Sequence, residues 1–149
     1  MSKPVVYVAG PFRGDSHWKI AENIRRAERA ALELWKIGAA ALCPHANTSN
    51  FQDELPDHVW LDGDFELLRR CDAVLMIKGW RQSVGACAEY SFAEQEGVLV
   101  LNDLDDAIEF VGDWYQGTGQ EMPELFARYA EKVYKGGHGR SRTPQIGQG

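Results

Sequence analysis

The sequence predicts an α/β fold, a flavodoxin- or Rossmann-like parallel sheet of four to five strands with helices on both faces. Two observations carry that expectation. Apolar runs of strand length alternate along the chain with amphipathic segments of helix length, the pattern of a parallel sheet joined by crossover helices. The stretch Cys71–Leu101 also reads as one complete unit of strand, loop, helix and strand. A chain of 149 residues has the length of a single domain. That domain is expected over residues 1–135, followed by a disordered tail over residues 136–149.

Val5–Ala9 (VVYVA) is the first strand, closed by Gly10-Pro11. Phe12–Trp18 is a loop. A helix follows over Lys19–Ile37, because Ile20, Ile24, Ala27, Ala31 and Leu34 recur at spacings of four and three. Arg25, Arg26, Glu28, Arg29 and Glu33 take its other face, and Gly38 stops it. Ala39–Cys43 is a second strand, cut off by Pro44. His45–Pro56 is a long polar loop. Asp57–Arg70 is a helix, with Gly63 in its interior. A glycine there costs about 1 kcal/mol against alanine, which implies a tight contact or a kink. Ala73–Ile77 is the third strand, Ser83–Gly97 a helix and Val98–Leu101 the fourth strand. Asp103–Trp114 is a helix whose first-turn aspartates suit its dipole. Gly117–Gln120 is a turn, and Met122–Tyr134 a last helix. From Gly136 onward the chain shows no periodicity.

The formal charge of −6 disfavours binding to nucleic-acid polymers, while a small basic pocket for one phosphate stays compatible with it. Cys43, Cys71 and Cys87 are odd in number and lack CxxC spacing. They read as thiols of a reduced compartment. No signal peptide precedes the first strand and no apolar run is long enough to span a bilayer. The expectation is a cytoplasmic protein without a membrane partner. His17, His58 and His138 have no metal-ligand spacing, so neither a metal nor a cofactor is expected.

Parallel sheets bind ligands at the carboxyl ends of their strands. The candidate loops are therefore Gly10–Asp15, Pro44–Asn50, Lys78–Gln82 and the residues after Leu101. In the first, Gly10 and Gly14 let the backbone approach a ligand and Arg13 offers a planar fork to an anion. The plain alternative is an ordinary turn with a solvated arginine. The GxxxxGK[ST] spacing of a P-loop is absent. His45 is a candidate ligand contact. Phe12 and Trp80 are candidates to stack on a base, or are core aromatics. Ser83 opens a helix, as a cap or as part of an anion site. Glu89 sits on a helical face with Gly85, Ala86, Tyr90 and Ala93. A carboxylate there is either placed for chemistry or partly exposed and paired with an arginine. Asp64, in LDGDFELL, flanks the stripe of Leu61, Phe65 and Leu68 and is expected to meet Glu89. Paired carboxylates across a sugar are the standard means of cleaving a glycosidic bond. Asp72 reads as a residue at the start of a strand.

Three segments in order, Tyr7-Val8-Ala9-Gly10-Pro11, Asp64 eight residues before Asp72, and Ser83-x-Gly85-x-x-x-Glu89, resemble the nucleoside 2-deoxyribosyltransferase superfamily. The resemblance covers about Val5 to Leu101. It implies that Glu89 attacks C1′ of the sugar, that Asp64 assists departure of the base, and that Tyr7 orients Glu89. Relatives that hydrolyse nucleoside 5′-monophosphates carry serine at the position of Ser83 and an arginine in the first loop, where Arg13 stands. Pro11 departs from them: those hydrolases have serine there, and proline offers neither hydroxyl nor N–H. The implied activity is hydrolysis of the N-glycosidic bond of a (deoxy)nucleoside 5′-monophosphate. The alternatives are deoxyribosyl transfer between bases and a non-catalytic nucleotide-binding module. The resemblance also implies a homodimer or higher homo-oligomer.

Overall fold

The computed structural model describes residues 2–51 and 53–128. Four strands, β1 (Val5–Ala9), β2 (Ala40–Leu42), β3 (Ala73–Met76) and β4 (Leu99–Leu101), form one parallel sheet in the order β2-β1-β3-β4. The helices are α1 (His17–Lys36), α2 (Pro44–Asn47), α3 (Asp57–Arg69), α4 (Val84–Glu96) and α5 (Leu104–Gly117). This is the parallel α/β architecture of the flavodoxin- or Rossmann-like class.

The alternation of side chains along β1 divides the core in two. Val6 and Val8 pack with Ala27, Ala31 and Leu34 of α1 and with Ala107, Ile108 and Val111 of α5. Tyr7 and Ala9 point the other way, among Leu68 of α3, Val74 and Met76 of β3, and Ala86 and Ala93 of α4. Helices α1 and α5 thus cover one face, and α3 and α4 the other. The chain leaves β1 through α1 to reach β2, then returns past β1 to build β3 and β4. The connections after β1 and β3 lie on opposite faces, so a crevice opens between these neighbours at their carboxyl ends.

Several boundaries differ from expectation for local reasons. Helix α1 begins at His17, inside the expected loop, because the Ser16 side chain accepts a hydrogen bond from the Lys19 N–H at 3.1 Å. The expected loop after β2 contains α2 and a 3-10 turn at Ser49–Phe51. Pro44 stands at the first turn of α2, where its missing N–H costs nothing. Helix α5 runs past Trp114 to Gly117. Its extra turn buries Tyr115, whose hydroxyl donates to the Gly38 carbonyl at 2.7 Å. The turn that follows centres on Thr118 and Gly119 (φ +66°). Helical residues 124–128 begin the expected last helix; its remainder and the expected tail lie outside the described residues. Of the three cysteines, which are all free, Cys71 is buried while Cys43 and Cys87 are half-buried. Among the described residues no helix is long and apolar enough to cross a membrane.

Two glycines differ from expectation. Gly63 makes no tight contact: a Cβ built there meets nothing within 4 Å, and α3 runs through it without a break. Gly10 is the constrained one. A Cβ there would fall 2.2 Å from Cγ1 of Ile77, whose N–H extends the β1–β3 ladder to the Ala9 carbonyl at 2.9 Å. Its lack of a side chain seats Ile77 against β1. Gly63→Ala is expected to raise stability by about 0.5–1 kcal/mol through helix propensity. Gly10→Ala is expected to lower it by about 1–3 kcal/mol through overpacking. Urea denaturation followed by circular dichroism reads both, and opposite signs would refute this assignment.

Candidate active site

A cavity of about 860 Å³ opens at the carboxyl ends of the strands, within the usual range for small-molecule sites. Loops after β1, β2 and β3 bound it, together with one face each of α1, α3 and α4. Of the sequence-predicted residues, Gly10, Phe12, Arg13, His45, Asp64, Ser83, Gly85 and Glu89 all line it.

Glu89 is 9% exposed. The small residues Ala86 and Ala93, buried on the same face of α4, bring that helix close to the sheet. From there Glu89 Oε2 accepts a short hydrogen bond from the Tyr7 hydroxyl. Among the described residues Glu89 has no arginine partner, and the Tyr7 bond stands in place of the ionic pairing considered from sequence. Tyr7 is fully buried in β1 and lies behind the cavity wall. Burial, the Glu89 and Asp64 charges, and its bond to Glu89 push its hydroxyl far above the usual range. Tyr7 therefore acts only as a donor. Burial raises Glu89 to about 7; the Tyr7 bond opposes that rise and the Asp64 charge adds to it. Burial raises Asp64 to about 6. The two carboxylates repel one another, so they titrate as a pair that holds a proton near neutrality.

Asp64 projects from α3, whose residues Asp57, Trp60, Leu61, Asp64 and Phe65 all line the cavity. Their spacing of three, one, three and one places them on a single helical face. That periodicity was present in the sequence for Asp57 and Trp60, which the apolar stripe alone did not single out. Trp60, tilted against Phe51 at 6.0 Å, is the tryptophan in the cavity wall. Trp80, a candidate either to stack on a base or to pack in the core, is not among the residues that line the cavity. Its ring stacks on Tyr90 at 4.7 Å and lies under the Arg81 guanidinium at 4.6 Å, so packing within its own loop and α4 takes it up.

Arg13 is exposed and forms an ion pair with Asp57 across the cavity mouth. Ser83 caps α4, its Oγ accepting from the Ala86 N–H at 3.2 Å. A Cβ at Gly85 would meet nothing within 4 Å, so the absent side chain leaves room in the cavity. Phe12 packs edge-on against His45 at 5.3 Å. Both carbonyls next to His45 Nε2, those of Gly10 (3.1 Å) and Pro11 (3.0 Å), are acceptors, which requires the proton on Nε2. Burial holds the His45 pKa below its usual range, with the two carbonyl bonds opposing. The ring is thus a neutral donor at neutral pH.

Helix α1 adds three cavity residues that the apolar pattern did not single out: Lys19, Asn23 and Arg26. Their spacing of four and three marks one face. Asn23 is 2% exposed, a polar residue set between Ile20 and Ala27. Arg26, expected on the outer face, instead donates to the Lys78 carbonyl and ties α1 to the loop after β3. Asp72 accepts from the Val5 N–H at 2.8 Å, as suits the start of a strand. Burial and the Asp72 charge push the Cys71 thiol up to about 11, which makes it a poor nucleophile. Among the described residues no group of three or more His, Cys, Asp or Glu side chains is placed to hold a metal ion.

The fold and cavity define a parallel α/β protein with a buried carboxylate in a strand-end crevice. The chain belongs to a family described as a domain of unknown function (DUF4406), which matches residues 4–102. The match begins just before β1 and ends just after β4, so it takes in every strand and every cavity-lining residue. No curated protein matches the chain.

A carboxylate whose folded pKa is raised lowers stability as pH climbs above its unfolded value. For Glu89 that loss falls between about 4.5 and about 7. Glu89→Gln removes the charge and keeps an acceptor for Tyr7. It is expected to raise stability by about 1–3 kcal/mol at pH 8, with the gain vanishing below pH ~4.5. Thermal melting at several pH values measures this; a destabilised variant at pH 8 would contradict the buried-charge account.

Proposed function

We propose that the protein cleaves the N-glycosidic bond of a (deoxy)nucleoside 5′-monophosphate, with Glu89 as nucleophile. The observation that carries this reading is the buried Glu89, held by the Tyr7 hydroxyl at the wall of a strand-end cavity with Asp64 beside it. The ordered resemblance to nucleoside 2-deoxyribosyltransferases supports it. Ionised Glu89 attacks C1′ and the bond from C1′ to the base nitrogen breaks. The proton of the pair rests mainly on Glu89, whose pKa is the higher; in the reactive arrangement it sits on Asp64, which delivers it to the leaving base. Asp64, now ionised, takes a proton from water as that water attacks C1′ of the glycosyl-enzyme and the bond to Glu89 breaks, returning the sugar phosphate, ionised Glu89 and protonated Asp64. Tyr7 holds the attacking oxygen in place and favours its ionised form. Arg13, Ser83 and the backbone of the first loop are the phosphate-side groups.

A second reading, transfer of deoxyribose between bases using unphosphorylated nucleosides, is favoured by one specific observation. Arg13 already has a carboxylate partner in Asp57, and an incoming phosphate must displace it. A homo-oligomer also belongs to the proposal: Val84, 88% exposed, and Leu61, 43% exposed, leave apolar surface at the cavity rim. Light scattering at assay concentration tests that part, and a monomer would remove it.

Incubation with a panel of nucleosides and monophosphates, with free base measured by chromatography, tests the main reading. Glu89→Ala is expected to lose at least about 10³-fold in rate. Base release at the wild-type rate by that variant ends the nucleophile assignment. A new nucleoside formed on addition of a second base identifies the transferase instead. The active form carries one proton on the carboxylate pair, so kcat/KM should peak between about 6 and about 7. The Tyr7 bond lowers the pKa of Glu89, the higher of the two, so Tyr7→Phe should move the basic limb to higher pH. An unmoved limb would separate Tyr7 from Glu89 ionisation.

A further inference from the structure

The loop after β1 is held in an unusual way. Four consecutive carbonyls, those of Gly10, Pro11, Phe12 and Arg13, are bound by two buried side chains. His45 Nε2 donates to the first two at 3.1 and 3.0 Å. Asn23 Nδ2 donates to the next two at 3.1 and 3.3 Å. The peptide bonds are trans, and in a trans peptide the C=O and the following N–H point in opposite directions. Fixing the carbonyls of Pro11, Phe12 and Arg13 therefore turns the N–H groups of Phe12, Arg13 and Gly14 away from His45 and Asn23. Among the described residues none of these three N–H groups has a hydrogen-bond partner. All three residues line the cavity. Successive free N–H groups beside an arginine favour an anion.

Asn23 serves this arrangement at a cost. Its amide presents Nδ2 to the loop and leaves Oδ1 buried without a partner, which is unfavourable by itself. Both holding residues are more than nine-tenths buried, and neither belongs to the loop: His45 stands on α2 and Asn23 on α1. The neutral imidazole and the amide donate without adding charge near the anion.

We infer that His45 and Asn23 are positioning residues that set the preference for a phosphorylated over an unphosphorylated ligand, by aiming the backbone N–H groups of Phe12, Arg13 and Gly14. The inference rests on the proposed nucleotide site and adds to it. It explains how a loop that begins with Pro11, without serine, presents donors to a phosphate. Arg13 then needs only to exchange Asp57 for the ligand.

The test compares the wild type with Asn23→Leu, His45→Leu and His45→Gln. Calorimetry with a deoxynucleoside 5′-monophosphate and with the corresponding nucleoside gives the ratio of the two affinities. Asn23→Leu and His45→Leu should each lower that ratio at least about tenfold. His45→Gln, which keeps a donor, should restore most of what His45→Leu loses. A merely structural role would lower both affinities together and leave the ratio unchanged, which would overturn the inference. Should the leucine variants fail to fold, the wild-type protein decides. Titration with inorganic phosphate and with the monophosphate should shift the amide resonances of Phe12, Arg13 and Gly14 in a proton–nitrogen spectrum. Unmoved amides would overturn it. Shifted amides without release of any base would instead end the glycosidase reading and leave this inference standing.

Discussion

The hydrogen bond between Tyr7 and Glu89 joins the middle of the sheet to the helix that covers it, and much of the site follows from it. Tyr7 has no exposure to solvent and Glu89 almost none. The carboxylate can be buried there because a hydroxyl meets it and because Ala86 and Ala93 let α4 approach the strands. The same burial disfavours the charge, so Glu89 holds its proton to about neutral pH. A group that destabilises its own fold in the ionised state is a common mark of a functional position.

Around that contact the cavity is divided by element. Helix α3 lends one face, from Asp57 to Phe65, and brings a second carboxylate, Asp64, within electrostatic reach of Glu89. Helix α1 lends Lys19, Asn23 and Arg26, and the loop after β1 lends Arg13 and its backbone. The carboxylates Asp64 and Glu89 stand on α3 and α4, while Arg13, Lys19 and Arg26 stand on the α1 side together with Asp15. A ligand with an electrophilic carbon at one end and an anion at the other matches this polarity. That is why a nucleotide, rather than an uncharged sugar, is the substrate class proposed.

The parallel sheet was legible because its signals are local. Apolar runs such as VVYVA and AVLMI occur where β1 and β3 form, and the period of Ala27, Ala31 and Leu34 marks the buried face of α1. Glu89 stood out as a carboxylate among small residues, and the same small residues bring its helix to the sheet. Local signals left other roles open. Trp80 read either as a base-stacking residue or as a core aromatic, and its contacts with Tyr90 and Arg81 favour the second. Gly63 looked constrained but has open space beside it, whereas Gly10, read as a point of ligand approach, has Ile77, 67 residues on, packed where a side chain would stand.

By itself the sequence determined the alternation of strands and helices, the strand-end loops where a ligand can enter, and the carboxylate that stands out on α4. Periodicity and local composition suffice for these, since they depend on neighbours a few residues away. Only the tertiary structure decided who meets whom. It joined Arg13 to Asp57 across 44 residues, and it gave the Tyr7–Glu89 contact, which the family resemblance implied, its place across 82 residues. It also set His45 and Asn23 under one loop, so that two buried side chains bind four carbonyls. Such pairings arise from the order in which the strands assemble, and one strand's residues carry no mark of which helix will cover them.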